Sequence, residues 1–254
     1  MSILRVKDLT KFYGSKSKLT RAINGMSFSL EEGEFLGVMG ASGSGKTTLL
    51  NCVSTIDRPT SGDIIINDQS TRGLKGRKLS QFRRDQLGFI FQEYNLLDTL
   101  TGYENIAMAL TIQHVPVKEI EARIHTISKH LNIEKILDQY PYEMSGGEKQ
   151  RIAAARAMIT KPSLVLADEP TGALDSKSAK QLLENFSLLN KELKATIMMV
   201  THDAFTASYC DRILFIKDGE VFTELIRNQE DRRTFFKRII EVLTLLGGDL
   251  NHVY

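Results

Sequence analysis

Polar and apolar positions along the chain alternate, run together and then change period, in an order that predicts a layered fold. Ile3, Val6 and Leu9 recur loosely, and Met26, Phe28 and Leu30 alternate strictly with Ser27 and Ser29. That period of two marks strands with one buried face. Residues 35–39 are instead continuously apolar, as in the buried strands of parallel sheets. Further strands are expected at 64–66, 87–91, 164–167 and 196–200, with turn signals at 31–34 and 59–62. The Asp218-Gly219 pair joins 213–216 to Val221 and Phe222 as a hairpin. From about residue 95 to residue 142 the strand signals vanish. Ile120, Ile124, Ile127 and Leu131, and less regularly Ile136, recur at helical spacing. The pattern predicts an α/β core with a helical lobe inserted at about 95–160, and a further core helix near 177–193. The core extends over 1–222, and a helical tail over 223–254 is expected to place Phe236, Ile239, Ile240, Leu243 and Leu246 on one face.

Composition narrows the partners. With 42% hydrophobic and 25% charged residues in 254, the chain is of ordinary globular make-up, and its net charge of +2 supplies no field for nucleic acid or an anionic membrane. No apolar run approaches the ~20 residues that span a bilayer. Arg5, Lys7, Asp8 and Lys11 interrupt the first apolar positions, so no signal peptide is expected. A membrane role would therefore pass through a partner. Cys52 and Cys210 stand far apart in apolar surroundings, which predicts two reduced core thiols in an intracellular protein.

The chemistry begins at Gly40-Ala41-Ser42-Gly43-Ser44-Gly45-Lys46-Thr47, which matches G-x-x-x-x-G-K-[ST] between an apolar strand and the helix-like Thr47-Thr48-Leu49-Leu50. Glycines let backbone N–H groups fold around a phosphate, and the following helix turns its positive end to the same anion. Lys46 supplies a charge to the β- and γ-phosphates, and the Thr47 hydroxyl is an Mg²⁺ ligand. A glycine-rich turn matching by chance is the plain alternative, and the strand before it argues against that. Asp168 and Glu169 follow the apolar 164–167, at the end of a strand where α/β sheets bind ligands. Asp168 is suited to Mg²⁺ and Glu169 to polarising a water. The same pair reads equally as a strand end before the turn at Pro170, and it is the phosphate loop that tips the balance.

Ser145-Gly146-Gly147-Glu148-Lys149-Gln150-Arg151 resembles the signature of the ABC ATPase family, and a Ser N-cap alone would not account for its two glycines or for Gln150-Arg151. The resemblance runs from Ile3 to Val221 with every motif in family order. It implies an α/β P-loop NTPase core with an antiparallel β subdomain and an inserted α-helical subdomain. It further implies that Tyr13 stacks on adenine, that Gln92 senses Mg²⁺ and the γ-phosphate, and that His202 contacts the γ-phosphate. Ala173-Leu174-Asp175 would run across a dimer interface, and Ser145, Gly146, Gly147 and Glu148 would complete the site of a second copy. Expected ligands are ATP over Tyr13, Gly40 to Thr48, Ser145 to Glu148 and Asp175, and Mg²⁺ at Thr47, Gln92 and Asp168, with Glu169, Gln92 and His202 catalytic. Met144 and Glu148-Lys149 depart from the commoner leucine and glutamines.

Within the family, residues 83–100 and 167–176 look like the branch of lipoprotein release, macrolide efflux and peptide-antibiotic resistance. Thr171-Gly172-Ala173, residues 201–210, and the tail at Asp231-Arg232, Thr234-Phe235-Phe236 and Leu246-Gly247-Gly248 resemble the bacitracin-export ATPases. That resemblance implies a head-to-tail pair of copies on the cytoplasmic face of the membrane, a separate integral permease, a sensor kinase reached through it, and no nucleic acid. The alternatives are an ABC ATPase of a lipoprotein-release, macrolide-efflux or cell-division-type complex, a regulator that signals through a membrane protein, and a soluble ABC ATPase acting on nucleic acid or ribosomes; the absence of a second ATPase half, a coiled coil or a basic patch weighs against the last.

Overall fold

The apolar runs of the sequence become strands. In a computed structural model that describes residues 1–15 and 18–247, the elements in order are β1 (Ser2–Ser15), β2 (Lys18–Glu31), β3 (Phe35–Met39), α1 (Lys46–Val53), β4 (Ser61–Ile66), β5 (Gln69–Ser70) and α2 (Gly76–Gln86). There follow β6 (Leu87–Ile90), α3 (Gly102–Ile112), α4 (Val117–Leu131), α5 (Gly146–Met158), β7 (Leu164–Asp168) and α6 (Ser176–Leu193). The chain continues through β8 (Ile197–Val200), α7 (Ala204–Ala207), β9 (Arg212–Lys217), β10 (Glu220–Ile226) and α8 (Arg232–Gly247). Gly248 and the rest of the expected tail lie outside the described residues. The chain divides into two units, Met1–Gly73 with the chain from Met198 on, and Leu74–Ile197.

In the first unit an antiparallel sheet runs β2-β1-β4-β5, with Val6 of β1 opposite both Phe28 and Ile64. Met26 and Leu30 are buried while Ser27 and Ser29 are exposed, as the alternation requires. The remaining strands run β10-β9-β3-β8, with β3 parallel to β9 and Val38 opposite Leu214. All five residues of β3 are buried, which accounts for its continuous apolar run. Its start is pinned by Asp211, whose carboxylate accepts from the Phe35 N–H at 3.0 Å and from Arg227 at 2.6 Å. The β9–β10 hairpin turns at Asp218 and Gly219, both left-handed (φ 50° and 81°), the geometry that a two-residue primed turn demands.

The tail helix forms, and its inner face keeps Ile239 of the expected residues, adds Phe235 and leaves out Ile240. Phe235 and Ile239 are fully buried while Phe236 is only partly covered and Ile240 is 42% exposed. The residue one position earlier faces inward because α8 starts on its Asp231 cap and lies against α7. Arg232 holds its guanidinium 4.2 Å from the Tyr209 ring centroid.

In the second unit β6 and β7 are parallel, Phe89 opposite Leu166, and the Val165 N–H donates to the Thr196 carbonyl. No strand falls between them; residues 91–163 are helices and loops. Ile120, Ile124, Ile127 and Leu131 all face inward from α4, which ends at left-handed Asn132. Cys52 and Cys210 are both unpaired by disulfide and buried. Burial pushes the Cys52 thiol up to about 11 and Cys210 well above the thiol range. Among the described residues no helix is long and apolar enough to cross a membrane.

Candidate functional site

In the first unit, the loop from Gly40 to Gly45 leaves buried β3 and enters α1. Gly45 is the helix N-cap, at φ 104°, and no side chain caps the helix. The first N–H groups of α1 therefore point their partial positive charge out of the protein fold, as an anion site requires. Two glycines are obligatory here. A Cβ on Gly40 would meet the Ile216 carbonyl at 2.2 Å, and one on Gly45 would meet the Ala22 carbonyl at 2.3 Å. Ala41, Ser42, Gly43 and Thr47 are exposed, while Ser44 and Lys46 are buried. The Lys46 ammonium donates to the Gly40 and Ala41 carbonyls at 2.9 and 2.8 Å, so the charge lies across the loop. The buried Ser44 hydroxyl oxygen has no hydrogen-bond partner among the described residues. An uncapped helix start, a charge folded into the loop and a spare hydroxyl are the donor set of a triphosphate cradle, and they fit the nucleotide.

Two more expected residues belong to this unit. Tyr13, near the end of β1, is 40% exposed. His202 is exposed just beyond β8, whose neighbour β3 accepts the Thr201 N–H at Val38. The adjacent Asp203 serves the fold by capping α7, where it accepts from the Phe205 and Thr206 N–H groups at 3.2 and 2.8 Å.

The second unit carries the carboxylates. Leu164 to Ala167 are buried, and Asp168 and Glu169 emerge partly exposed at the end of β7. Glu169 stands at φ 42°, a left-handed conformation that glutamate adopts at a cost. Its carbonyl accepts from the Gly172 N–H, closing a turn that stabilises this backbone. Gln92 is exposed just after β6, and a Cβ on Gly172 would lie 2.9 Å from its Nε2. The structure thus brings Gln92 and the Glu169–Gly172 turn together.

The same unit presents the signature at the start of α5. Ser145 is its N-cap and forms a reciprocal box with Glu148: the Ser145 N–H and hydroxyl donate to Oε2 at 2.8 and 2.7 Å, and the Glu148 N–H donates back at 3.4 Å. These bonds hold the Glu148 carboxyl below its ordinary range. Asp175 caps α6, accepting from the Lys177 and Ser178 N–H groups, both at 3.0 Å. Its carboxyl lies below the usual range, chiefly through the Ser178 hydroxyl.

Nothing in the residue pattern pointed to the roles of Gln150 and Arg156. Fully buried Gln150 donates through Nε2 to the Phe91 carbonyl at 3.0 Å and the Pro170 carbonyl at 2.9 Å. It thereby ties the residue before Gln92 to the residue after Glu169. Arg156, one helical face along, donates to the Tyr94 and Asn95 carbonyls at 2.9 and 2.5 Å. Both acceptors are backbone atoms far away in the chain, and no motif announces them.

A cradle for polyphosphate, a strand-end pair of carboxylates and a capped glycine pair opening α5 define an ATP-binding cassette. The model of the family described as ABC transporter matches residues 23–172, and the chain belongs to that family. It is an ATP-binding subunit and ATP hydrolase of this class. It is 52% identical over 98% of its length to the ABC transporter ATP-binding protein YxdL of Bacillus subtilis, covering 96% of that protein. It is 51% identical to the bacitracin export ATP-binding protein BceA of Halalkalibacterium halodurans, over 99% of both chains. The solved dimeric post-hydrolysis state of the ATP-binding cassette MJ0796 of Methanocaldococcus jannaschii, bound to ADP and Pi, matches with a TM-score of 0.79 at 36% identity, over 88% of this chain and 98% of that one.

Proposed function

We propose that the chain powers a separate integral permease on the cytoplasmic face of the membrane, in export of or resistance to peptide antibiotics. The observation that carries this reading is its 51% identity to a bacitracin-export ATP-binding protein over nearly the whole of both chains, including the tail beyond the family model. In this reading Tyr13 stacks on adenine, and the loop from Gly40 to Thr48 holds the phosphates. Thr47, Gln92 and Asp168 offer the oxygen ligands suited to Mg²⁺, which would neutralise charge on the phosphates when bound. Glu169 polarises the attacking water, and Gln92 and His202 contact the γ-phosphate. Ser145, Gly146, Gly147 and Glu148 act on the nucleotide of a second copy, and nucleotide-binding Asp175 lies in the loop across the interface, so that two chains pair head to tail over two ATP molecules. A sensor kinase joins through the permease.

The test is Glu169→Gln, which keeps the shape of the side chain and removes its charge. The variant is expected to bind ATP, to lose turnover by a factor of about 10² or more, and to form an ATP-dependent dimer visible by light scattering. Turnover at the normal rate would remove Glu169 from catalysis, and a variant monomeric in ATP would remove the sandwich.

A further inference from the structure

Tyr13 is held far more firmly than its exposure suggests. Its hydroxyl donates to Asp57 Oδ2 at 2.7 Å, and the side chain of Thr48, inside α1, lies beside it. Asp57 lies in the loop after α1. Its other oxygen accepts from Lys11 Nζ at 2.6 Å and from the Arg58 N–H at 2.7 Å. Lys11 also donates to the Arg58 carbonyl at 2.8 Å, and its ammonium sits over the Tyr13 ring, 4.7 Å from the centroid. This ion pair is partly withdrawn from solvent, with the Lys11 side chain 12% and the Asp57 side chain 30% exposed. Partial burial raises the Asp57 carboxyl, but the Lys11 and Tyr13 hydrogen bonds outweigh it and hold the group below the usual range.

The ring is therefore fastened, through Asp57, to the loop that follows the helix leading out of the phosphate cradle. ATP has a limited reach from its phosphates to its base. An unfastened tyrosine would have to be ordered each time a base arrived, at the expense of stacking energy. With Lys11 over one face, a base has the other. We propose that Asp57, oriented by Lys11, is a positioning residue for the nucleobase: it fixes the Tyr13 ring at the reach of a base whose phosphates lie in the loop from Gly40 to Thr48. This rests on the reading of Tyr13 as the surface on which the base stacks.

The experiment is equilibrium binding of an ATP analogue carrying a fluorophore on its ribose, to the full chain, displaced in one series by ATP and in another by tripolyphosphate. Tripolyphosphate fills the cradle and has no base. Tyr13→Ala is expected to weaken ATP about tenfold, and Asp57→Ala and Tyr13→Phe about three- to fivefold each, while displacement by tripolyphosphate stays within about twofold of the parent chain for all three. Tyr13→Phe keeps the ring and loses only its tether, so agreement between it and Asp57→Ala is the mark of positioning. If Tyr13→Ala weakens ATP and the other two do not, the tether is overturned and the stacking stands. If Tyr13→Ala itself binds ATP normally, stacking and tether both fall. Equal weakening of ATP and tripolyphosphate by Asp57→Ala would make Asp57 a structural residue of the loop and overturn the proposal.

Discussion

Ser145 and Glu148 do two things at once. The pair closes the first turn of α5 as a reciprocal cap, and in the proposed sandwich it meets the phosphate of another chain. The capping half of this is open to measurement without nucleotide. Folding lowers the Glu148 carboxyl through the Ser145 hydroxyl and N–H, so the charged form is the one stabilised. Its contribution is present above the unfolded pKa and is lost as pH falls through the lower folded value. Glu148→Gln is therefore expected to lie below the parent chain in thermal midpoint near neutral pH, with the difference shrinking as the solution is made acid. Ser145→Ala should cost about 0.5–2 kcal/mol at neutral pH. Unfolding followed by circular dichroism across the acid range checks both. A constant offset at every pH would refute the assigned ionisation. Candidate residues were legible in the sequence where they sit in short contiguous motifs, Gly40 to Thr47 and Ser145 to Arg151, whereas the reciprocal bond of Glu148 to Ser145 was not. Lys46 is legible as a candidate phosphate ligand, whereas its bonds to Gly40 and Ala41 follow from the loop's fold.

α5 shows why some element-scale roles were hidden. It is buried on nearly every side, from Gly147 through Gln150 to Met158, so it has no polar face and no periodicity from which to infer its partners. Its long side chains grip the segment after β6 at separated points, Gln150 at Phe91 and Arg156 at Tyr94 and Asn95. Tyr94 and Asn95 are both left-handed, a strained pair that the guanidinium holds in place. Burial lowers the Arg156 pKa, and because a guanidinium stays protonated in proteins the group is a cation facing two carbonyls. Arg156→Ala strips both carbonyls of that donor, and a cost of about 1–3 kcal/mol is expected. Amide exchange at residues 93–96 should rise while exchange within β7 stays slow. Equal acceleration in both places would mean global destabilisation in place of a local grip. Lys restores one donor of the fork and should recover part of the protection. The helical lobe itself was legible for the opposite reason: α4 is half-exposed, and Ile120, Ile124, Ile127 and Leu131 declare its inner face.

At the scale of the whole molecule the open question is what the tail is for, since the family model stops at residue 172 and α8 begins at Arg232. The structure gives the tail helix a buried face and an exposed one. Phe235 and Ile239 are fully buried, and Arg232 lies over Tyr209, so one face is part of the first unit. On the other side Ile240 and Leu245 are 42% and 70% exposed. Of the expected inward face Ile239 is fully buried, Phe236, Leu243 and Leu246 are partly covered and Ile240 is exposed, while Phe235 was missed; the Asp231 cap and α7 set this stripe. A chain ending after Asp231 loses the burial of Phe235 and Ile239, each worth about 2–5 kcal/mol by analogy with large-to-small core changes. At about 2–4 °C per kcal/mol for a chain of this size, its thermal midpoint should fall by roughly 10 °C or more. Phe235→Ala should account for a large share of that fall, and Ile240→Ser with Leu245→Ser for almost none, since exposed positions change stability by about 0.5 kcal/mol or less. Midpoints measured on the three variants settle the assignment. A truncated chain as stable as the parent would show that α8 is an appendage, whereas a fall reproduced by Phe235→Ala makes it an integral part of the cassette, with its outward residues alone left to meet another chain.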